Sequence, residues 1–97
     1  MAATLQVEKK KEGEFRVTVR EGRSQSSHLV TVKQDYYEQL TGERIAPEEL
    51  VRQSFEFLLA REPKESILSQ FDLRVIAHYF PEYEREIKQR LGGSRRV

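Results

Sequence analysis

Apolar residues change their spacing once along this chain, and that change constrains the fold more than any other feature. Leu5 and Val7, then Phe15, Val17 and Val19, then Val30 and Val32 recur at every second position, the spacing of strands buried on one face. Beyond Asp35 the apolar positions recur at three and four, the spacing of helices. Glycine and proline punctuate the two halves differently. Gly13 and Gly22 lie between the period-two runs as turn residues, whereas Pro47, Pro63 and Pro81 stand where a helix can begin, a position at which the missing proline N–H sacrifices no hydrogen bond. The pattern predicts an α+β fold: a three-stranded antiparallel β-meander followed by four or five short α-helices packed on one sheet face.

The first hairpin turn falls in the Lys-rich stretch around Gly13, and the second connection is the polar run Gly22-Arg23-Ser24-Gln25-Ser26-Ser27. Asp35, followed three residues later by Glu38, has the spacing of a capping box for a short helix that carries Tyr36, Tyr37 and Leu40 and stops at Gly42. From Pro47, Glu48 and Glu49 suit the positive end of a helix whose wide apolar stripe is Leu50, Val51, Ser54, Phe55, Leu58 and Leu59. A further turn after Pro63 carries Ile67 and Leu68, and Asp72 can cap a helix with Leu73, Ile76, Ala77 and Phe80. After Pro81, Tyr83, Ile87 and Leu91 share a face until Gly92-Gly93. Residues 1–91 are thus expected to form a single α+β domain, and residues 92–97 a flexible basic C-terminal tail.

Composition narrows the function classes. Hydrophobic residues make up 37% and charged residues 34% of the 97 positions, enough for one modest core. The chain has no cysteine, which removes disulfides, thiolate nucleophiles and Cys-based zinc sites and suits a reducing, cytoplasmic compartment. Glu8 and Lys9 interrupt the N-terminal apolar residues, and no later stretch is long enough to cross a bilayer, so neither export nor membrane insertion is expected. Seventeen basic against sixteen acidic residues leave a net charge of +1, too little for a global field that draws in nucleic acid.

Catalytic signals are sparse. A nucleophile needs a base held by a third group, and the two histidines, His28 and His78, lie in no catalytic motif. His28 has the parity of Val30 and Val32 and reads as a partly buried histidine on an edge strand, and His78 reads as a surface or interface residue. No pair of histidines has helical ligand spacing, and no glycine cluster opens a helix to cradle phosphate. No enzyme, cofactor or metal is expected. The outward positions of the strands, Arg16, Thr18, Arg20, Thr31 and Lys33, make a polar and basic face without aromatics, unlike a base-stacking surface.

The run Leu29-Val30-Thr31-Val32-Lys33, then Asp35 to Leu40, then Glu49 to Leu59, resembles the ribbon-helix-helix repressors and antitoxins over residues 29–61. The resemblance implies a dimer in which the strand pairs with its copy and its outward residues enter the DNA major groove. Leu29 stands where a polar base reader belongs, and Pro47, Glu48 and Glu49 oppose a phosphate at the second helix. The remainder of the chain resembles small uncharacterised bacterial proteins, a similarity that implies no activity.

Two readings follow. In the first the chain is a small non-catalytic protein-interaction module or subunit, a monomer or homodimer, whose contact residues are Tyr79, Tyr83, Phe57 and Tyr37, because tyrosine joins a large apolar body to a polar tip. In the alternative it is a dimeric DNA-binding regulator or antitoxin that reads bases with Thr31 and Lys33 and holds phosphates with Arg16, Arg20, Arg95 and Arg96. Whether the strand over 28–33 pairs within the chain or across a dimer separates the two.

Overall fold

The computed structural model describes residues 3–93. The elements are β1 (Thr4–Lys11), β2 (Glu14–Glu21), β3 (Ser24–Thr31), α1 (Gln34–Thr41), α2 (Pro47–Leu59), β4 (Gln70–Asp72), α3 (Arg74–Tyr79) and α4 (Tyr83–Lys88), with a 3₁₀ turn at Lys64–Ser66 and a π-helical turn at Gln89–Gly93. The class is α+β, with four α-helices among the described residues, but the expected three-stranded antiparallel meander is corrected. The sheet has four strands in the order β1-β2-β3-β4, and β4 runs parallel to β3. A parallel neighbour cannot be reached by a hairpin, so the chain crosses over through α1 and α2 before it returns as β4.

The hairpins follow from their glycines and from strand polarity. At the first turn Gly13 adopts φ 77° and its carbonyl accepts the Val32 N–H at 2.8 Å, so close that a Cβ there would stand 3.1 Å from the Val32 carbonyl. The second connection is shorter than expected. Gly22 and Arg23 alone form the turn, with Glu21 paired to Ser24, and glycine at the first central position is a hallmark of two-residue hairpin loops. Ser24 to Ser27 therefore belong to β3: the outward Gln25 and Ser27 face water, and the inward Ser26 finds a partner in His28.

Local signals set the helices with two corrections. Gly42 closes α1 in the left-handed region (φ 63°), and Pro47 opens α2 at its first turn. The capping box does not form: α1 begins at Gln34, and Asp35 instead accepts the N–H of Tyr36 within the first turn. After Pro63 only Lys64–Ser66 is helical, which leaves Ile67 extended. Asp72 does accept the N–H of Arg74 at 2.9 Å, at the start of α3.

The core lies between the sheet and the helices. Phe15, Val17, Val19, His28, Val30 and Phe71 point inward from the strands and are buried with Leu50, Val51, Phe55 and Leu58 of α2, each large apolar side chain contributing roughly 1.5–3 kcal/mol on burial. Arg16, Arg20, Gln25 and Thr31 on the other face are exposed. The two sheet edges differ: β1 is eight residues long, with its Leu5 carbonyl accepting from Arg52 of α2, and β4 is three residues long. No helix among the described residues is long and apolar enough to cross a membrane.

Candidate functional site

The four aromatic residues expected at an interface separate into three that are covered and one that is not. Tyr83 and Phe57 are fully buried where α4 crosses α2. Their rings meet edge to face at 5.2 Å, Phe80 adds a second edge contact to Phe57 at 5.9 Å, and the Arg61 guanidinium lies 3.7 Å above the Phe57 ring. The Tyr83 hydroxyl and Ser54 Oγ are 2.7 Å apart, and burial holds the phenol above its ordinary pKa, so it stays neutral. Tyr37 is buried on α1 and donates to the Ile45 carbonyl. Packing therefore removes Tyr83, Phe57 and Tyr37 as surface contact residues. Phe57 leaves the centre of the α2 stripe because a second helix, not solvent, covers that flank.

Tyr79 is 65% exposed, and Leu68 is 50% exposed beside it in the same groove. The groove has a volume of about 380 Å³ and runs between the C-terminal end of α2, the segment before β4, and α3, a volume within the range of ~300–1,000 Å³ typical of ligand sites. Ile67, Phe71 and Val75 line its floor and walls, and its charged lining residue is Glu62. Val75 and Tyr79 lie one helical turn apart on α3, which explains why the sequence signal for this face was short. Leu68 was missed as a site residue because its exposure depends on the backbone leaving the 3₁₀ turn before it.

His28 fixes that backbone. It is 3% exposed, packs against Phe55 at 5.3 Å, and its Nδ1 lies 2.9 Å from the Leu68 carbonyl. A carbonyl only accepts, so Nδ1 is the donor in that hydrogen bond, and Nε2 lies 2.8 Å from Ser26 Oγ. This Ser–His pair has nucleophile–base spacing, but neither residue lines the groove. Its effect is positional: together with the Leu29 N–H donating to the Ser69 carbonyl, it ties the 68–69 segment to β3. The expected edge histidine is thus on an interior strand. His78 is exposed beside Tyr79, with the two rings edge to face at 5.7 Å.

A second anchor lies in the 3₁₀ turn. Lys64 is 3% exposed, with its ammonium 2.7 Å from Glu65 and 3.2 Å from Glu21. The Glu65 hydrogen bond, with Glu21 behind it, raises the Lys64 pKa against the opposing effect of burial. The pair of contacts joins the 3₁₀ turn to the end of β2.

Of the residues of the DNA-binding alternative, Arg16, Arg20 and Thr31 lie on the outward face of the sheet. Thr31 is exposed and stands between Glu14 and Asp72 in the sheet register, and Lys33 lies 4.0 Å from Asp72. Arg16 and Arg20 project outward from β2, with Arg20 donating to Gln25 at 3.1 Å. Arg95 and Arg96 lie outside the described residues. β3 pairs with β2 along one edge, Phe15 opposite Val30, and with β4 along the other, Val30 opposite Phe71. Pairing with a copy of itself would first break one of those ladders. Among the described residues no group of three His, Asp or Glu side chains is placed to hold a metal ion. The chain matches no family model, no curated protein and no solved structure.

Proposed function

We propose that this chain is a non-catalytic protein-interaction module whose binding surface is the groove between α2, α3 and the 67–71 segment. The observation that carries the reading is that Leu68 and Tyr79, the two exposed large apolar side chains among the described residues, line one groove. Exposed apolar groups gathered at a concave site favour a partner, because docking removes them from water. The anchoring of Leu68 through His28 adds to this, since a wall held in place loses little conformational freedom when a partner binds.

The reading is tested with a photo-crosslinking amino acid placed at position 68 or, on the outward sheet face, at position 18. Position 68 should give a discrete protein adduct in cells that Tyr79→Ser abolishes, and position 18 should not. Adducts of equal yield at both positions, or a position-68 adduct insensitive to Tyr79→Ser, would count decisively against the groove.

A further inference from the structure

Glu62 sets a condition on what can occupy the groove. Its side chain is half-buried in the lining, and no hydrogen bond or ion pair engages it among the described residues. The neighbouring cations are already committed. Arg61 bridges Glu82 at 3.1 Å and Glu86 at 3.0 Å, and Lys64 bridges Glu21 and Glu65. A purely apolar occupant would strip water from the Glu62 carboxylate and give nothing in return, and burying an unpaired charge is strongly unfavourable.

We infer that the groove takes a protein segment that presents apolar side chains to Leu68, Val75 and Tyr79 and a lysine or arginine to Glu62. The inference rests on the interaction reading above and names the partner's chemistry. A partner cation at Glu62 both repairs the desolvated carboxylate and selects against acidic or uncharged segments of equal hydrophobicity.

The test is selection from a displayed library of random twelve-residue peptides on the immobilised full chain, in its native form and as Glu62→Lys, Glu62→Gln and Tyr79→Ser. The native chain should enrich peptides with an apolar pair and a Lys or Arg, and Glu62→Lys should shift the enriched charge to Asp or Glu. For one native-selected peptide, Glu62→Gln should weaken binding on the order of tenfold and Glu62→Lys more. If selected peptides lack a basic residue, or their affinity ignores Glu62 while Tyr79→Ser still lowers it, the cation requirement is wrong and the groove reading stands. If no peptide is enriched, or binding is indifferent to Tyr79→Ser, the groove reading falls and the inference falls with it. Circular dichroism of each variant confirms that a lost signal reflects binding and not unfolding.

Discussion

Helix α2 meets two partners, and the two junctions are built on different terms. Against α4 its flank is filled: Phe57 is enclosed by Tyr83, Phe80 and the Arg61 guanidinium, Ser54 pairs with the Tyr83 hydroxyl, and Arg61 seals the rim with Glu82 and Glu86. Toward α3 its end opens on a groove where Leu68 and Tyr79 remain exposed and Glu62 has no countercharge among the described residues. Both junctions use tyrosine, leucine or phenylalanine, and glutamate. What distinguishes them is whether each side chain has a neighbour that completes it. A filled seam contributes to folding, and an unfilled one stores its contacts for a partner.

The largest effect should come from emptying the filled seam. Phe57→Ala removes a fully buried ring that three side chains touch, and such truncations destabilise by ~3–5 kcal/mol, a large share of the ~5–15 kcal/mol available to a domain of this kind. Urea denaturation reads the change directly. A loss below about 1 kcal/mol would mean that the seam is no better packed than the groove, and the contrast would collapse.

Much of this architecture was legible in local sequence, and the unread parts share a cause. Period-two valines located β1 to β3, Gly42 and Pro47 bounded α1 and α2, and Tyr79 was named as an exposed aromatic. β4 was not readable because three residues with one inward side chain, Phe71, contain no period. Tyr83 and Tyr79 lie four residues apart, and residue type cannot separate them: Pro81 interrupts the chain between them, so α4 turns Tyr83 onto α2 while α3 leaves Tyr79 at the surface. The site was half-read for the same reason. Glu62 and Leu68 acquire meaning only when the crossover brings the end of α2 beside α3, and no spacing within either segment records that.

A smaller effect is expected from acid, because it acts on the ionic rim and spares the aromatic filling. Glu82 lies below the ordinary glutamate pKa of 4.5, held there by its own backbone N–H and then by Arg61, and Glu65 is lowered by Lys64 and its own N–H. A depressed carboxylate contributes stability above its unfolded value and loses it as pH falls through the folded value. Glu43 acts in the opposite sense: hydrogen bonding with Glu38 raises its pKa, so its contribution is present below 4.5 and is lost as pH rises through the folded value. Glu38, lowered by its hydrogen bonds with Gln34 and Glu43, adds to Glu82 and Glu65, and three lowered carboxylates against one raised predict a thermal midpoint that holds from pH 7 to about 5 and declines below 4.5. Glu82→Gln should shallow that decline, and an unchanged slope would show that the Arg61 rim does not hold the seam closed. The contribution is modest because these pairs are partly solvated.

The smallest effect on stability is the most discriminating one. Leu68→Ser and Tyr79→Ser remove apolar groups that are already half or more in water, so folding buries only part of what is removed, and each variant should lose about 1 kcal/mol or less in denaturation, well short of Phe57→Ala. Tyr79→Ser should abolish the position-68 crosslink, and both substitutions should weaken peptide binding. Equal and large losses of stability from both would mean that the two side chains support the core through contacts as real as those of Phe57, and the groove would then be an imperfectly filled seam and not a binding surface. Unchanged stability with lost binding would establish the difference between the two ends of α2 as a division between folding and recognition.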